Sequence, residues 1–521
     1  MQDSILPQAA GRPSRLVTAI AVAGATLFLY LRNFLARGIP FQASGDQQQF
    51  FTRGLRIVHG QLPFRDFFAF VTPGNEYLYA AGFRAFGIHA WVLSAWAIVT
   101  GLAFCWVLSR MAAHILPAHL RFLPALLFLS FVYQGAPDLT HHWFSTLAGL
   151  AAAAVLMAGV TLRRIAVSSV LCAIATLFTQ TAGAAVFLAI AIYVVWQAKA
   201  EPHSPRTRPG IPARLTALCL PCGAVLAIVL GLFARAAGLG QLFFQLILFA
   251  PRYFPSGEIA DYLHQFPPLH APSDILHFVP VLFIYLLVPY IYAVGLFRVV
   301  RTGTEMPSAV RQNIVLLNLV GLLLFLSIVN SPRLFRLTTI AAPAILVLAW
   351  LLGQPGRACK IFRDKVICIA LGFAVILPIH RQTQWHRVLP LPIGPTAFTD
   401  PLATREFAWM AAHTHPGQLF LNDSGLELYL DLRNPTGLEY ITTREFTRPE
   451  WVARAVAAMQ NDPPAFVVLQ FEPAGQGSPA DHSAPFRDFV QQRYNRVASF
   501  PLKGGTSYQE DIWQLRPTAS P

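Results

Sequence analysis

Asp46 is the residue of this 521-residue chain best placed to do chemistry. It stands in Ser44-Gly45-Asp46-Gln47-Gln48-Gln49-Phe50-Phe51, just past the first long apolar stretch, where a membrane helix would re-enter water. A carboxylate there can take a proton from a hydroxyl presented at a membrane surface. A structural role competes, because Asp46 precedes a helical pattern and could cap it. Apolar residues at helical spacing, Phe50, Phe51, Leu55 and Val58, predict an amphipathic helix over 46–58. Arg53 and Arg56 fall on its other faces, as in a helix lying in the headgroup layer.

Other candidates divide by the chemistry they could support. Arg65 and Asp66 are adjacent opposite charges, read first as a local ion pair and second as substrate contacts. Pro63 and Pro73-Gly74 break the chain before a second helix over 75–86, on which Glu76 is expected to face water or to supplement Asp46. Arg333 and Arg336, three apart in Asn330-Ser331-Pro332-Arg333-Leu334-Phe335-Arg336, could grip a lipid phosphate; headgroup snorkelling is the competing reading. Asp138 and His142 are four apart, a spacing that on one helix could ligate a divalent metal, although polar capping at a helix start is favoured. Asp46 joins them as a weak metal candidate, and Gln180, Arg252 and Tyr253 could line a cavity. Cys219-Leu220-Pro221-Cys222 has redox spacing but lies in an apolar span, where packing is the better reading.

The elements that must position these residues are membrane helices. The chain is 55% hydrophobic and 12% charged, against about 25% charged in soluble domains. Apolar runs over 16–35, 91–112, 122–133, 143–160, 165–178, 182–196, 215–234, 278–297, 314–329, 338–352 and 366–379 give about 11 crossings. A polytopic α-helical membrane protein follows. The run over 16–35 is too long for a signal peptide and reads as a retained anchor. Basic residues gather in alternate short loops, at Arg163-Arg164, Arg206–Arg214 and Arg357–Lys365, which places these loops and the N-terminus in the cytoplasm. The net charge of +14 therefore reads as membrane topology, and nucleic-acid binding is not expected. Segments 37–90 and 238–277 then lie outside, as does everything after residue 380. From 381 to 521, helices over 405–413 and 451–459 alternate with strands over 418–421, 465–470 and 511–515. That pattern predicts a small C-terminal extracytoplasmic α/β domain on a transmembrane domain of residues 1–380. The six cysteines all lie in or beside apolar spans, so a disulfide framework is not expected.

The loop after the first span resembles that of the GT-C superfamily of integral-membrane glycosyltransferases, in particular the bacterial members similar to protein O-mannosyltransferases and aminoarabinose transferases. The resemblance rests on Gly45-Asp46, on Gly60-Gln61-Leu62-Pro63-Phe64-Arg65-Asp66-Phe67-Phe68, and on Thr72-Pro73-Gly74 before Tyr77-Leu78. It implies a polyprenyl-phosphate-linked sugar donor, an acceptor hydroxyl on a lipid, glycan or protein at the outer face, and Asp46 as the catalytic base. The family often has Asp-Glu where this chain has Asp46-Gln47, which limits the resemblance to one carboxylate. The expected function is an inverting glycosyltransferase of the cell membrane, with Arg333 and Arg336 on the donor phosphate and a divalent metal as an open question. A transporter or flippase is the alternative of another class, although ionisable residues cluster at span ends rather than at mid-span. A non-catalytic envelope-glycan scaffold is a third.

Overall fold

The structure, a computed structural model, describes residues 14–43, 45–133, 139–200, 209–253, 269, 274–302, 306–329, 332–438, 441, 447–471, 482–501 and 509–517. The chain forms two compact units. One comprises Met1–Asn33, Trp96–Gly231 and Ser256–Thr383; the other comprises Phe34–Ala95, Leu232–Pro255 and Gln384–Pro521.

The first unit is helical. Among the described residues, six helices are long and apolar enough to cross a membrane: Arg15–Asn33, Ala90–Ala112, Gln180–Ala200, Ile211–Ala237, Ile275–Arg301 and Ser308–Leu326. The pair Leu334–Ile340 and Ala342–Leu352, bent by 62°, makes a seventh if counted as one span. The chain is thus a multi-pass membrane protein. The runs expected at 143–160, 165–178 and 366–379 lie on His141–Met157, Leu162–Phe178 and Arg357–Thr383. The run at 122–133 lies on Leu123–Leu127, which passes into a π-helical turn, Phe128–Val132.

Proline explains two irregularities. Pro343 has no N–H to give the Thr339 carbonyl, and the chain bends there, with Thr338 and Thr339 hydroxyls donating back to Phe335 and Arg336 carbonyls. Pro221 lies inside Ile211–Ala237, and Ser169 from Leu162–Phe178 repairs the break. Its hydroxyl accepts from the Cys222 N–H at 2.8 Å and donates to the Leu218 carbonyl. In lipid such backbone groups must find partners inside the protein, so the Cys219–Cys222 stretch has a packing explanation.

In the second unit, the predicted helices appear as Asp46–Val58 and Gly74–Phe86. They cross closely at Gly54, where a Cβ would lie 2.9 Å from Tyr79 Cβ and 3.2 Å from the Glu76 carbonyl oxygen. The expectation of a headgroup-layer helix is corrected. Arg53 and Arg56 are both buried, as are Gln47, Phe50, Phe51, Thr52, Gly54, Leu55 and Ile57, so the helix is packed on most of its circumference.

After residue 384 come a β-hairpin and a four-stranded sheet. Strands β1 (Arg387–Leu391) and β2 (Gly394–Phe398) pair antiparallel, with Pro390 opposite Pro395. Residues 40–42 join them: Gln42 N–H donates to the Ala397 carbonyl, and Ala397 N–H to the Pro40 carbonyl, both at 2.9 Å. Strands β3 (Phe420–Leu421), β4 (Phe466–Phe471), β5 (Tyr494–Pro501) and β6 (Gln509–Leu515) form a sheet of order β3-β4-β6-β5. Only β3 and β4 run parallel. Helices Pro401–His413, Ser424–Tyr429, Pro449–Asn461 and Ala484–Arg493 complete this part. Its core includes Leu421, Val452, Met459, Val467, Leu469, Phe486 and Val490.

Candidate functional site

Asp46 opens the Asp46–Val58 helix and its side chain is exposed. Gly45, with φ 66°, holds the cap position, and Asp46 is the first helical residue. A carboxylate in the first turn is favoured by the helix dipole. Gln47, where the resembled family often has a second carboxylate, is buried.

Two buried ion pairs fix the helix behind Asp46. Arg56 Nε and Nη2 donate to Glu427 Oε1 and Oε2 at 2.9 and 2.8 Å, a bidentate pair with both side chains buried. Arg53 Nη1 lies 3.4 Å from Glu76 Oε1, and its guanidinium stands 5.4 Å from the Phe50 ring centroid. Glu76 is fully buried, correcting the expectation that it faces water. A guanidinium inside the packed loop demands a carboxylate beside it, and Glu76 is the one that the helix crossing supplies.

Arg65 and Asp66 form the expected local ion pair, with Nε and Nη2 donating to Oδ1 and Oδ2 at 2.8 and 2.7 Å. Asp66 Oδ2 also accepts from Leu62 N–H at 2.8 Å. The Arg65 hydrogen bond holds the Asp66 carboxyl below its usual range. The same loop is stitched to the segment Leu232–Pro255 by buried Gln245, which accepts from Ala69 N–H at 2.8 Å and donates to the Phe64 carbonyl at 3.1 Å. Gln245 sits in a π-helical turn, Phe244–Leu248. Beyond it Arg252 is exposed, and Tyr253 lies under the Arg448 guanidinium, 4.2 Å from its ring centroid.

In the first unit, Arg333 and Arg336 sit at the start of Leu334–Ile340, Arg333 exposed at the cap position and Arg336 half-buried. This short helix packs against His141–Met157. The Phe335 ring lies 5.6 Å from that of His142, and Arg336 is within electrostatic reach of His142. His141 Nδ1 is 2.7 Å from Thr179 Oγ1, next to Gln180. Asp138, Ser44, Asn330 and Ser331 fall outside the described residues. The described helix begins at His141, after an extended Thr140, and the Asp138–His142 spacing involves a residue outside the described ones. Among the described residues no three His, Cys, Asp or Glu side chains converge as a metal set.

Sequence reasoning missed a group of carboxylates, Glu406 and Glu510 buried and Asp423 half-buried. Glu406, Asp423 and Glu510 act on one another from Pro401–His413, the cap of Ser424–Tyr429 and β6. Burial, then the charge of Glu510, pushes Asp423 up to about 7; burial, then the Glu510 and Asp423 charges, pushes Glu406 well above its usual range. No motif announces the group, since its members come from three separate segments.

No family model and no curated relative matches the sequence. Solved structures do. ArnT from Cupriavidus metallidurans, in its apo state, is similar with a TM-score of 0.59 at 14% identity, over 95% of this chain and 97% of that one. The same protein bound to undecaprenyl phosphate gives 0.56 at 13%, over 96% and 97%. The archaeal oligosaccharyltransferase AglB from Archaeoglobus fulgidus, in complex with an inhibitory peptide and a dolichol-phosphate, gives 0.51 at 11%, over 87% and 69%. At these identities the likeness is one of fold.

Proposed function

We propose that this chain, whose fold is that of the GT-C membrane glycosyltransferases, moves a sugar from a polyprenyl-phosphate-linked donor to an acceptor hydroxyl at the outer face of the cell membrane. Asp46 is the general base. It takes the hydroxyl proton as the acceptor oxygen bonds to the anomeric carbon from the face opposite the phosphate, inverting it. The bond between that carbon and the phosphate oxygen breaks, and the polyprenyl phosphate leaves with the electron pair. Arg333 and Arg336 are assigned to the donor phosphate, whose charge they match.

One observation carries the reading: Asp46 is an exposed carboxylate at the head of a helix whose own arginines are buried against carboxylates. The arginines serve to hold the helix, which leaves Asp46 as the group it presents. The polyprenyl phosphates bound by the similar structures support the donor class. The test is transfer from radiolabelled undecaprenyl-phosphate sugars by the purified full chain in lipid. Wild type should turn over, and Asp46→Asn should bind undecaprenyl phosphate without turnover. Full activity in Asp46→Asn removes the base from the reading. Donor binding without turnover in wild type would favour the scaffold instead.

A further inference from the structure

The residues on both sides of Asp46 are held by one short helix of the C-terminal segment, Ser424–Tyr429. On one side, Ala43 N–H donates to the Tyr429 hydroxyl at 2.7 Å. On the other, Gln48 lies against Gly425, where a Cβ would come within 2.8 Å of Gln48 Oε1, and Gln48 Nε2 donates back to the Ala43 carbonyl at 2.8 Å. One turn further, the Thr52 hydroxyl lies 2.8 Å from both the Ser424 carbonyl and the Gln48 carbonyl of its own helix, which share its one proton. A turn beyond that, Arg56 makes its bidentate pair with Glu427. The Asp46–Val58 helix is thus gripped along three successive turns by a six-residue helix.

That short helix is itself fixed. Asp423 caps it by accepting from Leu426 N–H at 2.6 Å. Asn422 before it donates to the Val468 carbonyl of β4 at 2.7 Å and accepts from Ile441 N–H. The Asp46–Val58 helix also packs on Gly74–Phe86, across Gly54. The added effect of Ser424–Tyr429 is to define where the first turn of Asp46–Val58 stands.

We propose that Ser424–Tyr429 is the positioning element of the Asp46 site, with Glu427, Tyr429 and the Ser424 carbonyl setting the place of Asp46 through Arg56, Ala43 and Thr52. The inference rests on the reading of Asp46 as the base. Catalytic geometry is steep in distance, so loosening the first turn should lower turnover while leaving donor binding to groups elsewhere.

The experiment compares wild type with Glu427→Gln and Thr52→Val in the full chain in lipid. Thr52→Val is the mild variant, removing one hydrogen bond at equal volume. Amide hydrogen exchange across residues 46–58 and transfer from radiolabelled undecaprenyl-phosphate sugars are measured together. Faster exchange confined to 46–58, with kcat down about tenfold or more at unchanged KM, is expected. Unchanged exchange, or faster exchange with unchanged kcat, overturns the proposal. Wild type that transfers no labelled sugar sinks the transferase reading alone, and the exchange measurement still decides whether the clamp exists.

Discussion

Around Asp46, every arginine of the helix is buried against a carboxylate, and the exposed acid is presented from a tightly packed element. Arg333 and Arg336 differ in burial: Arg333 is exposed and Arg336 half-buried, on a seven-residue helix that ends in a 62° bend. The first arrangement fixes one group in place. The second sets two long basic side chains at the start of a short helix. Under the proposed function, the contrast is between a group aligned for the reaction and groups that attract the donor phosphate.

The largest effects should separate these two tasks. Asp46→Asn is expected to lower kcat by about 10²–10⁴-fold, the usual worth of a general base, with undecaprenyl phosphate affinity unchanged by microscale titration. Arg336→Ala should do the converse, weakening undecaprenyl phosphate by about tenfold or more, as loss of a charge-assisted contact does. If both variants change binding and turnover in parallel, the division of labour between the regions is wrong.

Next comes the ion pair behind Asp46. Glu427→Ala leaves the Arg56 guanidinium buried without its bidentate acceptor, a change of about 3–5 kcal/mol, read as a lowered thermal midpoint of the full chain. The double variant Arg56→Met with Glu427→Met should recover most of that stability while leaving the helix less well positioned. Stability would then recover without activity, which a purely structural pair would not give.

The same contrast shows what was legible in the sequence. The Asp46–Val58 helix was predicted with the bounds observed, because Gly45-Asp46 and the spacing of Phe50, Phe51, Leu55 and Val58 are local signals. The burial of Arg56 was not, because its partner Glu427 is 371 residues away and no local pattern marks either as buried. Three C-terminal strands were found from their apolar alternation, whereas β1 and β2 were hidden by Pro390 and Pro395. Prolines argue against a strand unless it lies in a small hairpin such as this one. β5 was missed for a related reason: Tyr494–Pro501 is mostly exposed and lies at the sheet edge, so it carries little apolar pattern. The 338–352 run looked continuous because hydropathy does not register the missing N–H of Pro343. Local chemistry was readable; long-range charge pairing awaited the fold.

A smaller effect distinguishes the C-terminal part through pH. Asp423 and Glu406 bind protons more tightly in the folded protein than in the unfolded chain, where carboxylates titrate near about 4. Their contribution to stability is therefore full at acid pH and is lost as pH rises toward about 7, the folded value for Asp423. Thermal melts of the full chain across that window should show the midpoint falling with rising pH. Glu406→Gln should flatten the slope. A midpoint that rises over the same window would mean that these carboxylates are ionised in the fold.

The smallest effect is expected at Arg65 and Asp66, the pair that the sequence suggested most directly. Asp66 titrates below its usual range because Arg65 donates to it, so what the pair contributes is present at neutral pH and is lost as pH falls through the acid range. Arg65 is exposed and water screens the pair, unlike Arg56 and Glu427. Arg65→Ala should leave the neutral-pH melting midpoint close to wild type and transfer kinetics unchanged, while Asp66→Ala also frees Leu62 N–H and should cost more stability. A large loss of donor binding in Arg65→Ala would move Arg65 from a loop fastener to a substrate contact. It would also place an anion-binding cation in the same unit as Asp46, breaking the separation between aligning and attracting groups.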